Sequence, residues 1–527
     1  MTAKDLHRSL ADHPDGRVRF IALDGSQMTR SHTEMFADVT QLMSELRATG
    51  LRAGDLVGLA GPNCYEWALA DLALMALECV SVCLPATDLT TASDAPALIE
   101  KYRLSALLVT GRVPGELPAE AADLNVRPVA LTRREVTDVP PLGEDVFTVV
   151  FSSGTAGVRK GLPLTWDGAE NTVRTSMTAW QVAADDNILL VMPFSSFQQR
   201  HLFYTAVLAG CDATVVAPER MFQKMRELEP TIIIGPPSFF EIVDNQVRSA
   251  GRRARLRYLA ATLLHAVLPR RGGRRLRARL GRRWTSLYGS RVRLMFTGSA
   301  PVPPRVVTTF QRLGMPLFEI YGSTESGYIT FNLPEAHRTG AAGRPVAGVD
   351  VCVGDDGDGE VLVRTKHPQA RGYVFDGVES AAAVFRPDGT IATGDLGRLD
   401  RLGFLHLVGR KKNVIITRSG VKISPEELEE EIENRCRVTR VVVVALNDSG
   451  SLGCAVWLDD GAGRAGEVQA AVDAVNAGRD PAHRIVTVLL RPAPELTPES
   501  GLLTRNLKVD RAAVTRLVLG QTAGRAR

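Results

Sequence analysis

Residues 149–161 read VVFSSGTAGVRKG. An apolar, β-branched run enters a loop of Ser, Gly and Thr, and the loop closes on a single lysine. A loop of this kind after a strand presents backbone N–H groups and hydroxyls together, which suits phosphate oxygens, and Lys160 adds a point charge for the same anion. The spacing is not that of GxxxxGK[ST]. Gly154 and Gly157 stand three apart, and Lys160 is followed by Gly161. Taken alone the stretch reads equally as a surface turn, so its meaning rests on what surrounds it.

Working outward, strand and helix patterns alternate. DLVGLAGPN (55–63) reads as a buried strand and turn, and YEWALADLALMALECV (65–80) as an apolar helix. SALLVTG (105–111), NILLVMPF (187–194), DATVVAP (212–218) and TIIIGPP (231–237) are short apolar runs closed by Gly or Pro. This alternation predicts an α/β fold with mostly parallel sheets. From about 340 to 408 the pattern changes to short strands with Gly-Asp turns, as in VDVCVGDDGDGEVLVR. After Lys412 come the acidic helix PEELEEEIENR, the strand VVVVAL, the helix EVQAAVDAVNAG and the strand HRIVTVLL. The expected domains are 1–410 and 411–527.

Composition narrows the class. At 527 residues the chain exceeds a single compact core, and 45% hydrophobic with 23% charged residues is the range of a soluble globular enzyme. The N-terminal residues carry no signal-peptide pattern, and no apolar run is long enough to predict a transmembrane helix. Seven dispersed cysteines without a CxxC pair fit neither a disulfide framework nor a zinc site. Cys79 and Cys83 read as core packing, one helical turn apart. A reducing cytoplasm is the expected compartment.

The net charge of +4 hides an asymmetry: Arg248 to Arg293 holds fifteen arginines and no acidic residue, leaving the rest about −11. RRARLRYLAATLLHAVLPRRGGRRLRARLGRRW predicts two basic helices joined by a Pro-Arg-Arg-Gly-Gly turn. The stretch reads either as a solvated surface or as a membrane-surface contact through 248–293. Nucleic acid is not an expected partner, because no set of aromatic residues is interleaved for base stacking.

Five polar loops, all but the last holding glycine, then follow the first in order: FTGSAP (296–301), EIYGSTESG (319–327), ATGDLG (392–397), LVGRKKNVIITRSGVKISPEELE (407–429) and LTRNLKVDR (503–511). With SSGTAGVRKG they make the chain resemble the adenylate-forming superfamily of acyl-CoA synthetases, peptide-synthetase adenylation domains and luciferases, from about residue 20 to 512. SFQQRHLFYTAVLAG, the basic insert and the GRKKNVIITRSGVKISPEE segment are most similar to the long-chain acyl-CoA synthetase branch. MPFSSFQQRHLF holds no carboxylate to pair with an amino-acid ammonium, and the chain ends soon after the lysine motif, so a free-standing ligase is expected. The resemblance implies a large N-terminal domain of parallel αβαβα-type sheets with a small β-barrel-like part, then a small mobile α+β C-terminal domain.

It also implies roles. Ser152, Ser153, Gly154, Thr155, Gly157 and Lys160 would hold the β- and γ-phosphates of ATP. Gly298, Ser299, Ala300 and Tyr321 would line the adenine site, with Gly322 and Ser323 in the adenylate loop. Thr324 would meet the α-phosphate, and Glu325 would orient Mg²⁺. Asp395 would take the ribose hydroxyls, with Arg410 nearby. Lys508 would bridge the acid's carboxylate and the α-phosphate. Lys412 would be the hinge, and Ser419, Gly420 and Val421 would line the tunnel for coenzyme A.

The substrate implied is a lipophilic small-molecule carboxylic acid, long-chain or bulky, in a pocket expected to include Phe194, Ser196, Phe197, Phe203, Tyr204, Phe239, Phe240 and Phe331. Several positions depart from the family pattern: Ala156 replaces a threonine, Arg159 a proline, Ser196 a histidine, and Arg505-Asn506 the usual Pro-Thr. These departures keep open a ligase that performs mainly thioesterification of a preformed acyl-adenylate. Delivery of an acyl-AMP to a carrier protein, activation of another oxyanion, and a non-catalytic nucleotide-binding scaffold also stay open. The sequence does not disclose the oligomeric state.

Overall fold

The computed structural model describes residues 3–85, 88–89, 94–111, 126–129, 142–143, 145–151, 160–248, 250–267, 273–354, 359–375, 378–416, 422–446, 451–459, 461–480, 483–497, 499–504 and 509–525. Two large, mostly parallel sheets dominate. In the nine-stranded sheet, Leu317–Ser323, Leu294–Thr297, Ile232–Gly235, Asn187–Leu190, Asp212–Val216 and Arg17–Ile21 run parallel in that order, with antiparallel strands at both edges. In the six-stranded sheet, Ala106–Thr110, Leu56–Ala60, Val80–Leu84 and Val146–Phe151 are the parallel centre.

The strands form where the sequence runs apolar without alternation. LVGLA, VSVCL and ALLVT are buried at every position, as strands covered on both faces must be. One core joins the two sheets: Val18, Ile188 and Val215 share it with Val57, Leu59 and Phe147. Two helices lie within it. Tyr65–Ala76 is buried at ten of its twelve positions, and Phe197–Ala209 from Gln199 through Val207 without a break. Helices buried on all sides like these lie between layers, not on the surface. Phe197–Ala209 stops at Gly210, whose φ of 66° suits glycine at the left-handed C-terminal position.

Within this core, Arg200 is fully buried beside Asp71, 3.3 Å away. Its guanidinium also donates to Thr148 Oγ1 at 2.9 Å, and Tyr204 donates to Asp71 Oδ2 at 2.5 Å. This network ties the Phe197–Ala209 helix to the six-stranded sheet. Burial pushes the Asp71 carboxyl upward against the opposing pull of Arg200.

One sequence expectation changes. Cys79 and Cys83 are buried, but not on one helix: the helix ends at Ala76 and Cys83 lies in the strand Val80–Leu84. The small β part is an antiparallel sheet of four strands in sequence order, from Val349–Val353 to Leu405–Arg410. The basic stretch forms the helices Arg252–Val267 and Arg274–Leu280, as read from sequence. Of its Pro-Arg-Arg-Gly-Gly turn, only Gly273 is among the described residues.

From Ile415 onward, a two-stranded and a three-stranded sheet and the helices Pro425–Arg435, Ala465–Asn476 and Arg511–Arg525 build two further apolar clusters drawn only from that part of the chain. Ion pairs meet it from the first part: Arg440 to Glu241 at 2.7 Å and Arg305 to Glu433 at 3.4 Å.

Candidate active site

A cavity opens at the carboxyl ends of the parallel strands of the nine-stranded sheet. Met192, Ile234–Pro236, Gly298, Ser299 and Ile320–Thr324 follow or end those strands, and the Phe197–Ala209 helix supplies Phe197, Gln198, Gln199 and His201. Thr172, Gly327, Tyr328 and Gln369 complete the wall. In open α/β sheets ligands bind at this end.

The backbone is built tightly here. A Cβ on Gly298 would lie 2.6 Å from the Ile320 carbonyl oxygen, so only glycine fits between these strand ends. Ser299 follows with φ at 68°, a conformation that costs a non-glycine residue energy and recurs at functional sites. At the far side Tyr321 donates to Asp395 Oδ2 at 2.6 Å, and Arg410 meets Asp395 Oδ1 at 2.6 Å. Asp395 and Arg410 sit directly opposite each other on paired antiparallel strands. Burial, and then the Asp395 charge, hold the Tyr321 hydroxyl protonated well above its ordinary range.

Lys160 and Glu325 are linked through Tyr373. The Lys160 ammonium lies 4.6 Å from the Tyr373 ring centroid and donates to Ser380 Oγ at 2.5 Å. The Tyr373 hydroxyl donates to Glu325 Oε1 at 3.1 Å. The other Glu325 oxygen takes no hydrogen bond from any described residue. Among the described residues no group of three acidic, histidine or cysteine side chains converges. A carboxylate oxygen without a partner among the described residues fits Mg²⁺, which keeps most of its water and shares its other ligands with substrate phosphates.

His201 was missed by the sequence reading. Its Nδ1 lies 2.9 Å from the Phe197 carbonyl oxygen, which can only accept, so Nδ1 carries the proton. Nε2 is therefore the acceptor of the Tyr328 hydroxyl at 2.7 Å. Burial lowers the His201 pKa to about 4, so the ring is neutral near pH 7. The inner wall of the cavity is thus an uncharged pair in which the Tyr328 oxygen still has lone pairs to accept a donor. The i, i+4 spacing of Phe197 and His201 in FQQRH is the only sequence signal that could have paired them.

Of the residues expected at the site, Phe197, Gly298, Ser299, Tyr321, Gly322, Ser323 and Thr324 line this cavity, and Ala300 does not. Several expected pocket aromatics are core instead. Phe194 packs on Trp67 and Phe203, Phe239 on Phe222, Phe240 on Tyr288, and Phe331 on Trp180 and Tyr328. Phe203 and Tyr204 are buried on the same helix. Ser196 turns its hydroxyl to the Pro193 carbonyl at 3.0 Å and does not line the cavity. Lys412 lies in the short turn Lys411–Asn413, just after the strand that carries Arg410. Ser152, Ser153, Gly154, Thr155, Gly157, Ser419, Gly420, Val421 and Lys508 lie outside the described residues.

Two mostly parallel sheets, a glycine-lined crevice at the carboxyl ends of the nine-stranded one and a carboxylate–arginine pair beside it make an α/β fold with its crevice where such folds bind ligands. The AMP-binding enzyme family matches residues 6–374, and the chain belongs to that family, within the adenylate-forming superfamily. It is similar to the long-chain-fatty-acid–CoA ligase FadD15 of Mycobacterium bovis, 26% identical over 95% of this chain and 93% of that one. A 3-[(3aS,4S,7aS)-7a-methyl-1,5-dioxo-octahydro-1H-inden-4-yl]propanoyl:CoA ligase of Rhodococcus jostii is 26% identical over 79% of this chain and 81% of its own. Among solved structures, ATP-bound MatB from Rhodopseudomonas palustris superposes with a TM-score of 0.73 at 20% identity, covering 98% of this chain and 99% of that one.

Proposed function

We propose that the protein is an AMP-forming acyl-CoA ligase that activates a lipophilic carboxylic acid and transfers it to coenzyme A. The carrying observation is the continuity of one crevice: the Gly298–Ser299 and Tyr321 wall beside Asp395 runs directly into the cavity closed by Phe197, His201 and Tyr328. Nucleotide and acid would therefore meet at Thr324. The names of the similar ligases, one for fatty acids and one for a fused-ring acid, support the same class.

A carboxylate is a poor electrophile, and a thiol cannot displace its oxygen at neutral pH. In the first step a carboxylate oxygen attacks the α-phosphorus of ATP, and pyrophosphate leaves. That transfer needs positioning and charge neutralisation more than covalent help. The loop 152–160 would hold the β- and γ-phosphates, Thr324 the α-phosphate and Asp395 the ribose hydroxyls. Glu325 would hold Mg²⁺, which supplies charge neutralisation on the phosphates. Lys508 would neutralise the charge that builds between acid and phosphate. In the second step the thiolate of coenzyme A attacks the acyl carbonyl and AMP leaves. A swing of 411–527 about Lys412 would exchange Lys508 for the loop around Gly420 between the steps.

The cavity wall favours the bulky class of acid over an unbranched chain. Met192, Phe197, Ile234 and Ile320 supply apolar surface, but its inner end is the His201–Tyr328 pair, which a bare methyl terminus would leave unanswered.

The test is incubation with ATP, Mg²⁺, coenzyme A and a panel of acids, read by pyrophosphate release and by thioester mass. The reading expects both signals from at least one lipophilic acid. Pyrophosphate without thioester points to a carrier-protein acceptor. Thioester formed only from supplied acyl-adenylate leaves the second half-reaction alone. Nucleotide binding with neither signal makes the chain a scaffold.

A further inference from the structure

The helix Arg252–Val267 packs on the protein through small residues. Ala254 and Ala261 are its buried positions. Leu256, Leu259, Leu263 and Val267 are 59%, 50%, 69% and 76% exposed. At 3.6 residues per turn these four form a stripe centred about 180° from the Ala254–Ala261 line. A surface helix ordinarily turns polar residues to that side. One exposed leucine needs no explanation, but four on one stripe mark a contact surface. Leu276, on the next basic helix, is exposed as well, at 52%.

The charge around the stripe selects the partner. Arg252, Arg253, Arg255 and Arg257 flank its first turns, and none has a carboxylate partner among the described residues. No acidic residue occurs anywhere between Arg248 and Arg293. Two copies of this face would bring like charges together, which argues against self-association. Nucleic acid would use the arginines but not the leucines. The aromatic residues that could stack on bases are turned inward: Trp284 and Tyr288 are buried, and Tyr258 is held by Thr309 and Arg312. Leucines in a plane rimmed by long cationic side chains match an anionic bilayer, where the apolar stripe enters the acyl boundary and the guanidinium groups stay at the phosphates.

We propose that the Arg252–Val267 helix docks the enzyme in the plane of an anionic membrane surface. The docking surface is independent of which acid the enzyme uses. The helix Pro237–Arg248 links it to the Ile234–Pro236 wall of the cavity, so docking would set that wall near a membrane-dissolved acid.

The test is co-sedimentation of the full chain with vesicles of phosphatidylcholine alone or mixed with phosphatidylglycerol. Binding is expected to be about tenfold or more stronger on the mixed vesicles. Leu259→Asp with Leu263→Asp should lower it by about tenfold, while Leu402→Asp, at an exposed leucine far along the chain, should leave it unchanged. Circular dichroism and melting of each variant establish that it is folded, and Leu256→Asn gives a milder second probe of the stripe. The proposal is overturned by absent binding to mixed vesicles. It is equally overturned if folded leucine variants bind as well as wild type, or if duplex DNA is bound with the same affinity as the mixed vesicles.

Discussion

Replacing His201 by Gln tests the inner wall of the cavity most sharply. The native ring is neutral because burial lowers its pKa from 6.5 to about 4. An unfolded chain binds the proton near pH 6.5, so between pH 6.5 and 4 the unfolded state holds more protons than the folded one. Stability from this residue is therefore full above pH 6.5 and is lost as the pH falls toward 4. A shift of about 2.5 pKa units corresponds to about 3 kcal/mol in all, at 1.36 kcal/mol per unit, and about 2 kcal/mol of it falls between pH 7.5 and 5.0. Urea unfolding of wild type and His201→Gln at those two pH values reads the difference directly. Wild type should lose about 2 kcal/mol more than the variant over that interval. Other buried histidines, His32 among them, contribute equally to both proteins and cancel. Equal pH dependence in wild type and variant would refute a neutral, buried His201. Tyr328→Phe supplies the functional arm. It leaves Nε2 without its donor and should cost about 1–3 kcal/mol of stability while raising KM for acids that carry a hydroxyl or amino group more than for those that do not.

Further outcomes follow from the same contacts. Arg200→Met strands the buried Asp71 carboxylate and should destabilise the protein by about 3–5 kcal/mol, with partial recovery when Asp71→Asn is added; thermal unfolding of both variants checks it. Asp395→Ala removes the acceptor of both Tyr321 and Arg410, and should raise KM for ATP at least tenfold while leaving the melting temperature within a few degrees, as steady-state kinetics would read. Gly298→Ala forces a Cβ to within 2.6 Å of a backbone carbonyl; nucleotide affinity measured by calorimetry should fall by about tenfold or more, because a backbone atom cannot move aside as a flexible side chain can.

The sheets were legible because parallel strands buried on both faces leave continuous apolar runs, and LVGLA, ALLVT and IIIG each mark a strand. The arginine helices were legible for the opposite reason, since nothing acidic interrupts them. The acid cavity was not. A phenylalanine lining a pocket and one filling a core have the same composition signal, so Phe194 and Phe331 read as pocket and are core. His201 escaped because the Phe197–Ala209 helix is buried nearly all round and its polar residues Gln198–His201 run consecutively, so they give no phase from which to tell the cavity side. Cys83 was misplaced because the apolar run from Tyr65 hides the break at Ala76, where the chain leaves the helix and enters a strand. The pairs between Arg440 and Glu241 and between Arg305 and Glu433 join residues more than a hundred positions apart, which no local pattern encodes.

The measurement that bears most directly on the proposed chemistry follows the acid's own oxygen. With a substrate acid labelled with ¹⁸O in its carboxylate, turnover with ATP, Mg²⁺ and coenzyme A should place the heavy oxygen in AMP, since that oxygen becomes the bridge of the mixed anhydride and departs with the nucleotide. Heavy oxygen appearing in inorganic phosphate, or retained wholly in the acyl product, would contradict activation through an acyl-adenylate.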